Sequence, residues 1–164
     1  MHVQIYVVSL QYIKSINTAI STMKVPESRY GECIYFSSNA LARKIEKMAI
    51  ETWKKVDLSP SHAYLLMLII DGPGSQPSTL SGEMRLTPST ITRLIEKLED
   101  KKLVVRITEG KLTNIYPTPK AKELNPSLQQ CAREFYDKYC GILGKEESDR
   151  MARNMIRIAD KLGE

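Results

Sequence analysis

Apolar residues recur three or four positions apart from residue 32 to residue 55, which predicts a long amphipathic helix. Ile34, Leu41 and Ile45 begin this stripe and Trp53 ends it, while charged residues take the opposite face. Neither Pro nor Gly interrupts the segment. The stripe therefore needs a surface to pack against along its whole length.

Three shorter helices are predicted next, and two of them share the same start signal. Ser59-Pro60 and Thr87-Pro88 each place a hydroxyl that can cap a helix before a proline at its first position. Residues 63–70 are apolar on nearly every side and too few to span a membrane, so they predict a buried helix. Within residues 76–102, two helices joined by a tight turn are predicted, which is the helix-turn-helix pattern.

A β-hairpin and two more helices complete the pattern. Residues 103–107 and 112–116 have high β propensity, and Gly110 lies near the tip of the turn between them. A long helix is expected from about residue 120 to residue 143, and a last one from 145 to 162. The expected fold is mainly α with a small β-hairpin wing, in which a winged helix-turn-helix is inserted between N- and C-terminal dimerisation helices.

Four parts are expected along the chain. Residues 1–23 form an N-terminal extension to which the sequence assigns no role, and a natural start at Met23 is the alternative. Residues 24–56 hold the N-terminal dimerisation helix, residues 57–117 the winged helix-turn-helix, and residues 118–164 the C-terminal dimerisation helices.

The helical ends carry more apolar surface than a small winged helix can cover. Met151, Met155, Ile158 and Leu162 form a stripe on the last helix, comparable to the stripe on the first. Packing the ends together and against a second copy buries both stripes. The sequence therefore predicts a homodimer.

Composition narrows the function classes. Hydrophobic residues make up 42% and charged residues 26% of the 164 residues, which suits a folded core, and no segment resembles a membrane span or signal peptide. The 24 basic and 19 acidic residues leave a net charge of +5, which is compatible with nucleic acid. Three cysteines and two histidines show no metal-ligand or catalytic spacing. We therefore expect no metal, no cofactor and no enzyme, and a cytoplasmic protein with reduced thiols.

The second helix of the helix-turn-helix carries polar groups suited to reading DNA. Short hydroxyls at the start of such a helix can approach base edges, and an arginine further along can bind guanine through two hydrogen bonds. Arg85 is positioned to hold a phosphate, and a solvated helix face is the alternative interpretation of the whole set. The candidate DNA-binding residues are Ser89, Thr90, Thr92, Arg93, Lys97, Arg85, Arg106 and Lys111.

The order of these elements, together with four strings of residues, resembles the MarR family of bacterial winged-helix transcription regulators. The strings are Leu58-Ser59-Pro60, the stretch from Leu86 to Glu99 that reads LTPSTITRLIEKLE, Leu103-Val104-Val105-Arg106, and Pro117-Thr118-Pro119 with the helix start behind it up to Leu124. The resemblance implies a homodimer that binds a palindromic operator in double-stranded DNA, with repression as the expected mode. It also implies release by a small ligand or an oxidant.

Two departures from the family pattern stand out. The family's wing commonly carries an Asp-Arg pair on a longer loop, whereas here only Lys111 can serve. Lys102 stands where the family usually has a helix-ending glycine. The short wing favours a rival function, a winged-helix adaptor that binds proteins and has lost DNA binding, which the hydroxyls and Arg93 of the reading helix oppose.

The resemblance also implies an effector pocket between the dimerisation helices and the winged helix. Tyr35, Trp53, Tyr64 and Met67 are its candidate lining residues, for a phenolic or similar small molecule, although each also suits an ordinary core position.

Cys33 is the candidate redox sensor. It opens the first helix, as a cysteine does in the family's peroxide-sensing branch, and unpaired N–H groups at a helix start favour a thiolate. A buried structural cysteine is the alternative. Cys131 and Cys140 lie within a later helix and are either resolving thiols for a partner chain or inert core residues.

Overall fold

The computed structural model describes residues 28–110 and 112–163, and the chain divides after Arg43 into two compact units. Six α-helices, one short 3-10 helix and one hairpin are present in the described part. Their bounds are α1 Ile34–Trp53, the 3-10 helix Lys54–Val56, α2 Pro60–Asp71, α3 Pro77–Met84, α4 Pro88–Asp100, β1 Val104–Glu109, β2 Leu112–Pro117, α5 Pro119–Leu143 and α6 Lys145–Leu162. The expected extension over residues 1–23 lies outside the described residues.

Three helices begin with a hydroxyl cap followed by proline. The side chains of Ser59, Thr87 and Thr118 accept hydrogen bonds at 3.3–3.5 Å from backbone N–H groups three residues further on. The proline that follows each cap has no N–H to leave unpaired. The starts predicted for α2 and α4 are therefore confirmed, and α5 begins in the same way.

One core joins α2, α4 and the hairpin. Leu65, Ile69, Ile91, Ile95 and Ile115 are each at most 1% exposed. Replacing one such buried Leu or Ile with Ala leaves a cavity and lowers the free energy of unfolding by about 2–5 kcal/mol. The packing of this core therefore fixes where α4 lies. The apolar stripe predicted on α4 is the side that faces it.

The hairpin is longer, and its turn shorter, than the sequence predicts. The antiparallel pairing runs from Val104 opposite Pro117 to Glu109 opposite Leu112, so residues 108 and 109 belong to β1. Gly110 follows β1 directly, with a positive φ of +61°, the conformation that a short hairpin turn favours. Cross-strand pairing has extended the ladder into the segment expected to be loop.

Lys102 occupies a left-handed position at the end of α4, with φ of +59°. The N–H of Leu103 donates to the Leu98 carbonyl at 2.9 Å, and that of Lys102 donates to the Glu99 carbonyl at 2.8 Å. This pair of bonds closes a helix, and glycine is the usual residue at the left-handed position. The family's glycine is thus replaced by a lysine without loss of the geometry, and α4 ends at Asp100.

Candidate nucleic-acid interface

The turn between α3 and α4 is fixed by the backbone and by one side chain. Arg85 ends α3 with a left-handed φ of +52°, and its N–H donates to the Gly82 carbonyl at 3.2 Å. The Ser81 hydroxyl donates to the carbonyl of Leu86 on the other side of the turn. These contacts set the direction in which α4 leaves the core.

The outward face of α4 presents the polar residues expected from the sequence. Ser89, Thr92, Arg93 and Lys97 are exposed, and Thr90 is half-buried. The helix thus separates its two faces cleanly, with apolar side chains in the core and polar ones in solvent. Five of the eight predicted DNA-binding residues lie together on this one surface.

The hydroxyls at the start of α4 are partly engaged by the cap itself. The Thr87 hydroxyl lies 3.1 Å from that of Ser89 and 2.9 Å from that of Thr90. The Thr92 hydroxyl donates to the Pro88 carbonyl at 3.0 Å. A hydroxyl keeps further donor or acceptor capacity after one such bond, so these groups remain able to contact a base edge.

Arg93 forms no ion pair with any of the described residues. Its guanidinium carries five N–H donors and is exposed on the reading face of α4. Exposed Glu96 shares this face and opposes phosphate approach on its side. Arg93 is therefore the cation on this face that is ready for a planar acceptor such as guanine.

Lysines near the C-terminal end of α4 act on two neighbouring titratable groups. Lys101 pairs with Asp57 at 2.6 Å, and this hydrogen bond lowers the pKa of the Asp57 carboxyl. Burial, followed by the charges of Lys101 and Lys97, lowers the pKa of His62. The His62 imidazole, whose Nδ1 lies 2.7 Å from the Ser59 hydroxyl, is therefore neutral near pH 7 and reinforces the cap of α2.

The wing holds its predicted cation in an internal contact. Arg106 Nε lies 2.8 Å from the Glu99 carboxylate, which ties β1 to α4. The β1 side chains on the opposite face, Val105 and Ile107, are each 45% exposed, and Leu112 on β2 is 55% exposed. Lys111 lies outside the described residues. The wing face opposite Arg106 therefore exposes apolar side chains, and the prediction for Lys111 stays a prediction.

Arg85 also has a partner, on the last helix. Its Nη1 contacts the Oδ1 of Asp160 in α6, 75 residues further along the chain. Of the predicted DNA-binding residues, Arg85, Arg106 and Lys97 are thus ion-paired with carboxylates within the protein, Lys97 with Asp100 at 3.7 Å.

Comparison with known proteins shows a similarity to one family. The model of the MarR family matches residues 56–111, which begin at the end of the 3-10 helix and end between the two strands of the hairpin. This part of the chain is similar to the MarR family. A similar curated protein is the HTH-type transcriptional regulator YybA of Bacillus subtilis (strain 168), which is 22% identical over 121 residues, covering 72% of this chain and 81% of that protein.

Solved structures of the MarR family share the fold over most of the chain. The S. aureus MepR–DNA complex matches with a TM-score of 0.67 and 17% identity, over 78% of this chain and 97% of that one. CouR from Rhodococcus jostii RHA1, bound to p-coumaroyl-CoA, matches with a TM-score of 0.68 and 19% identity, over 81% and 96%. These matches confirm the winged-helix fold.

Two of the four predicted pocket residues are in contact. Trp53 and Tyr64 meet edge to face with ring centroids 5.2 Å apart. Trp53 is fully buried, and its Nε1 has no hydrogen-bond partner among the described residues. Met67 is half-buried against the same core, whereas Tyr35 belongs to the unit before residue 44 and is 67% exposed.

Aromatic residues of α5 extend this cluster, and sequence reasoning missed them. Tyr139 packs against Phe135 with centroids 5.2 Å apart and against Tyr136 at 5.3 Å. Burial raises the pKa of Tyr139, and the neighbouring Cys140 and Tyr64 add to the shift. The Phe135-Tyr139 spacing of four residues was the available signal, because such pairs meet on one helix face.

A shallow cleft of about 320 Å³ lies beside the end of α1, and none of the predicted pocket residues lines it. Its walls come from the 3-10 helix and α5, and Cys131 lies at its floor, 2% exposed. A Lys55–Glu134 ion pair stands at its edge. The cleft is distinct from the aromatic cluster around Trp53.

The three thiols differ in accessibility. Cys33, directly before α1, is exposed, Cys140 is half-buried and Cys131 is buried. Burial, followed by the Glu134 charge, raises the pKa of the Cys131 thiol. The described residues contain no group of His, Cys, Asp or Glu arranged to hold a metal ion, and none of their helices could cross a membrane.

Proposed function

We propose that this chain is a homodimeric transcriptional regulator of the MarR family that binds a palindromic site in double-stranded DNA through α4. The observation that carries the proposal is Arg93, which is exposed and free of ion pairs with described residues on a helix whose opposite face is locked in the core. A guanidinium held on a rigid helix can bind the O6 and N7 atoms of guanine together. The similarity in fold to the MepR–DNA complex supports the same use of the helix.

A second copy of the chain is the partner that the exposed apolar side chains favour. On α6, Met155, Ile156, Ile158 and Leu162 are 42–76% exposed. In the other unit, Tyr30, Ile34 and Tyr35 are 56–67% exposed. Obligate interfaces bury about 2,000 Å² or more, and helices with such faces can supply that area. Light scattering at low micromolar concentration tests this, because a stable monomer contradicts it.

Selection from random duplex DNA tests the DNA proposal directly. We expect an enriched palindrome whose half-sites lie about one helical turn, roughly 10 base pairs, apart. Affinity for it should fall steeply with salt, because each phosphate contact releases counterions. A library that shows no enrichment, with binding that is absent at low salt, contradicts the proposal.

Repression relieved by a small aromatic molecule is the mode that we propose. The aromatic cluster of Trp53, Tyr64 and Tyr139 supports it, because a buried indole N–H without a described partner can donate to a ligand oxygen. The ligand in the CouR structure is an aromatic thioester, which suggests aromatic acids and their thioesters as the first panel. Such a regulator would act in the cytoplasm, beside the chromosome.

Trp53 provides the readout, since it is the single tryptophan of the chain. A ligand seated against it should change its fluorescence and weaken operator binding over the same concentration range. Tyr64→Phe, which keeps the ring and removes the hydroxyl, should reduce the affinity if that hydroxyl holds the ligand. Operator release without any change in tryptophan emission would place the ligand elsewhere.

An oxidant acting at Cys33 is the second effector that we propose to test. The thiol is exposed at the start of α1, which suits reaction better than the buried Cys131. Residue-resolved thiol labelling should rank Cys33 first. If Cys33 labels no faster than the other two thiols, and peroxide leaves operator affinity unchanged, the oxidant is excluded.

The adaptor function is kept as a second candidate because of one observation, the apolar outer face of the wing. Val105, Ile107 and Leu112 are exposed there. Exposed apolar patches on folded proteins often mark protein contacts. The DNA selection above separates the two functions, because an adaptor that has lost DNA binding enriches no sequence.

A further inference from the structure

The ion pair between Arg85 and Asp160 joins the reading head to the last helix of the same chain. Arg85 ends α3 at the helix-turn-helix turn, and Asp160 lies in the last turn of α6. The side chains are 52% and 51% exposed, so a competing anion can reach the pair. We call this pair the Arg85–Asp160 clasp.

The backbone at Arg85 fixes the point from which its side chain leaves the turn. The residue adopts a left-handed φ of +52°, a conformation that glycine takes freely and that costs a residue with a Cβ free energy. Such a residue persists where an interaction elsewhere offsets the cost. The turn also fixes the direction of the Cβ, which aims the long side chain from a rigid base.

The position of Arg85 makes its guanidinium a natural ligand for a DNA phosphate. Arg85 lies two residues before Thr87, which caps the helix whose start would enter the major groove. Phosphates line the groove on both sides, and arginine binds them in the same bidentate manner as a carboxylate. The guanidinium therefore faces two rival anions, Asp160 in the free protein and a phosphate in the complex.

From this rivalry we propose that Asp160 is a positioning residue that withholds Arg85 from DNA until a phosphate displaces it. The inference rests on the proposed DNA binding. An exposed ion pair is weak enough to exchange its carboxylate for a DNA phosphate. The clasp thereby sets a threshold for weak sites while leaving the reading by Arg93 intact.

A double-mutant cycle in operator binding tests the clasp, with Asp160→Asn, Arg85→Ala and the double variant. Asp160→Asn should tighten binding by about two- to fivefold at low salt, the size of an exposed ion pair. Arg85→Ala should weaken binding and lower the slope of log affinity against log salt by about one, the signature of one lost phosphate contact. In the Arg85→Ala background, Asp160→Asn should change little.

Glu146→Gln is the matched control, because Glu146 is an exposed α6 carboxylate that forms no ion pair with the described residues. It removes the same charge and should leave affinity unchanged. Equal gains from Glu146→Gln and Asp160→Asn would show bulk charge and overturn the clasp. A gain from Asp160→Asn that persists without Arg85, or a loss in place of the gain, would overturn it as well.

Failure of the proposed DNA binding and failure of the clasp give different experimental results. If Arg93→Ala binds selected DNA as well as wild type does, the reading helix is wrongly assigned. The clasp is then tested by thermal unfolding of the same four proteins. Midpoint shifts that are smaller in the double variant than the sum of the two singles support the ion pair, and additive shifts overturn it.

Discussion

The recognition helix α4 and the wing differ in what they do with their charged residues. On α4 the apolar side is buried in the core and Arg93 is exposed on the other side without an ion pair to any described residue. In the wing, Arg106 is paired with Glu99, and the free face of β1 is apolar. The comparison teaches that an arginine left unpaired is ready for a new partner, whereas a paired arginine must first give up its carboxylate.

The largest effect is expected from removing the exposed arginine of α4. Arg93→Ala should weaken binding to the selected operator by about 1–3 kcal/mol, roughly fivefold to more than a hundredfold, because a bidentate guanine contact is lost. Base preference should relax at one position of each half-site. Fluorescence anisotropy with the operator and with single-base variants of it measures both changes.

Arg133→Ala is the control for this loss. Arg133 is an exposed arginine of α5 that contacts Gln130, and its removal takes away the same charge. It should leave base preference unchanged. If Arg93→Ala keeps full affinity and full base preference, α4 does not read DNA through this residue.

The wing side of the comparison can be tested by adding a cation to its exposed apolar face. Ile107→Lys places a cation on the apolar face at an exposed position, so the fold should tolerate it. We expect tighter binding at low salt, by about tenfold or less, and a salt dependence steeper by about 0.9, the value of one phosphate contact. Affinity measured at several salt concentrations gives both numbers.

Thr108→Lys adds the same charge to the neighbouring position, which is exposed and faces the other side of the strand. Equal gains from the two variants would mean that the charge acts at long range, without a wing contact. No gain from either variant would indicate that the wing does not contact DNA, and would favour the adaptor function.

The sequence predicts where the helices begin and which side of α4 is buried, but it does not predict which arginines are ion-paired. The cap-proline pairs and the apolar stripes depend on neighbours in the chain, so the starts of α2 and α4 and the inward side of α4 were predicted correctly. The partners of Arg85 and Arg106 lie on other elements, at Asp160 and Glu99. No local pattern reports such a pairing, and a free cation and a paired one look alike in sequence.

A smaller effect separates the two possible roles of Arg106. If the residue only ties β1 to α4, Arg106→Ala and Glu99→Gln should each lower stability by about 1 kcal/mol or less and weaken DNA binding alike. If Arg106 reaches DNA, Glu99→Gln should release it and tighten binding, whereas Arg106→Ala should weaken it. Thermal unfolding and anisotropy of the two variants decide between the roles.

The smallest effect is the pH dependence of stability that His62 of α2 confers beside the lysines near the end of α4. Burial lowers the pKa of His62 from its usual 6.5, and the charges of Lys101 and Lys97 lower it further. The unfolded chain therefore binds the proton more readily than the folded one. Stability should be full above about pH 6.5, fall as pH drops through that value, and level off below the folded pKa.

Thermal unfolding from pH 8 to pH 5 checks this sign, with His62→Asn as the variant, because its amide oxygen can still accept from Ser59 without titrating. The slope near pH 6.5 should flatten in His62→Asn and persist in His2→Asn, which removes the other histidine of the chain. Lys101→Ala should reduce the slope only in part, since burial is the larger cause. A slope that survives in His62→Asn would assign the proton to another group and remove the electrostatic link between α2 and the end of the recognition helix.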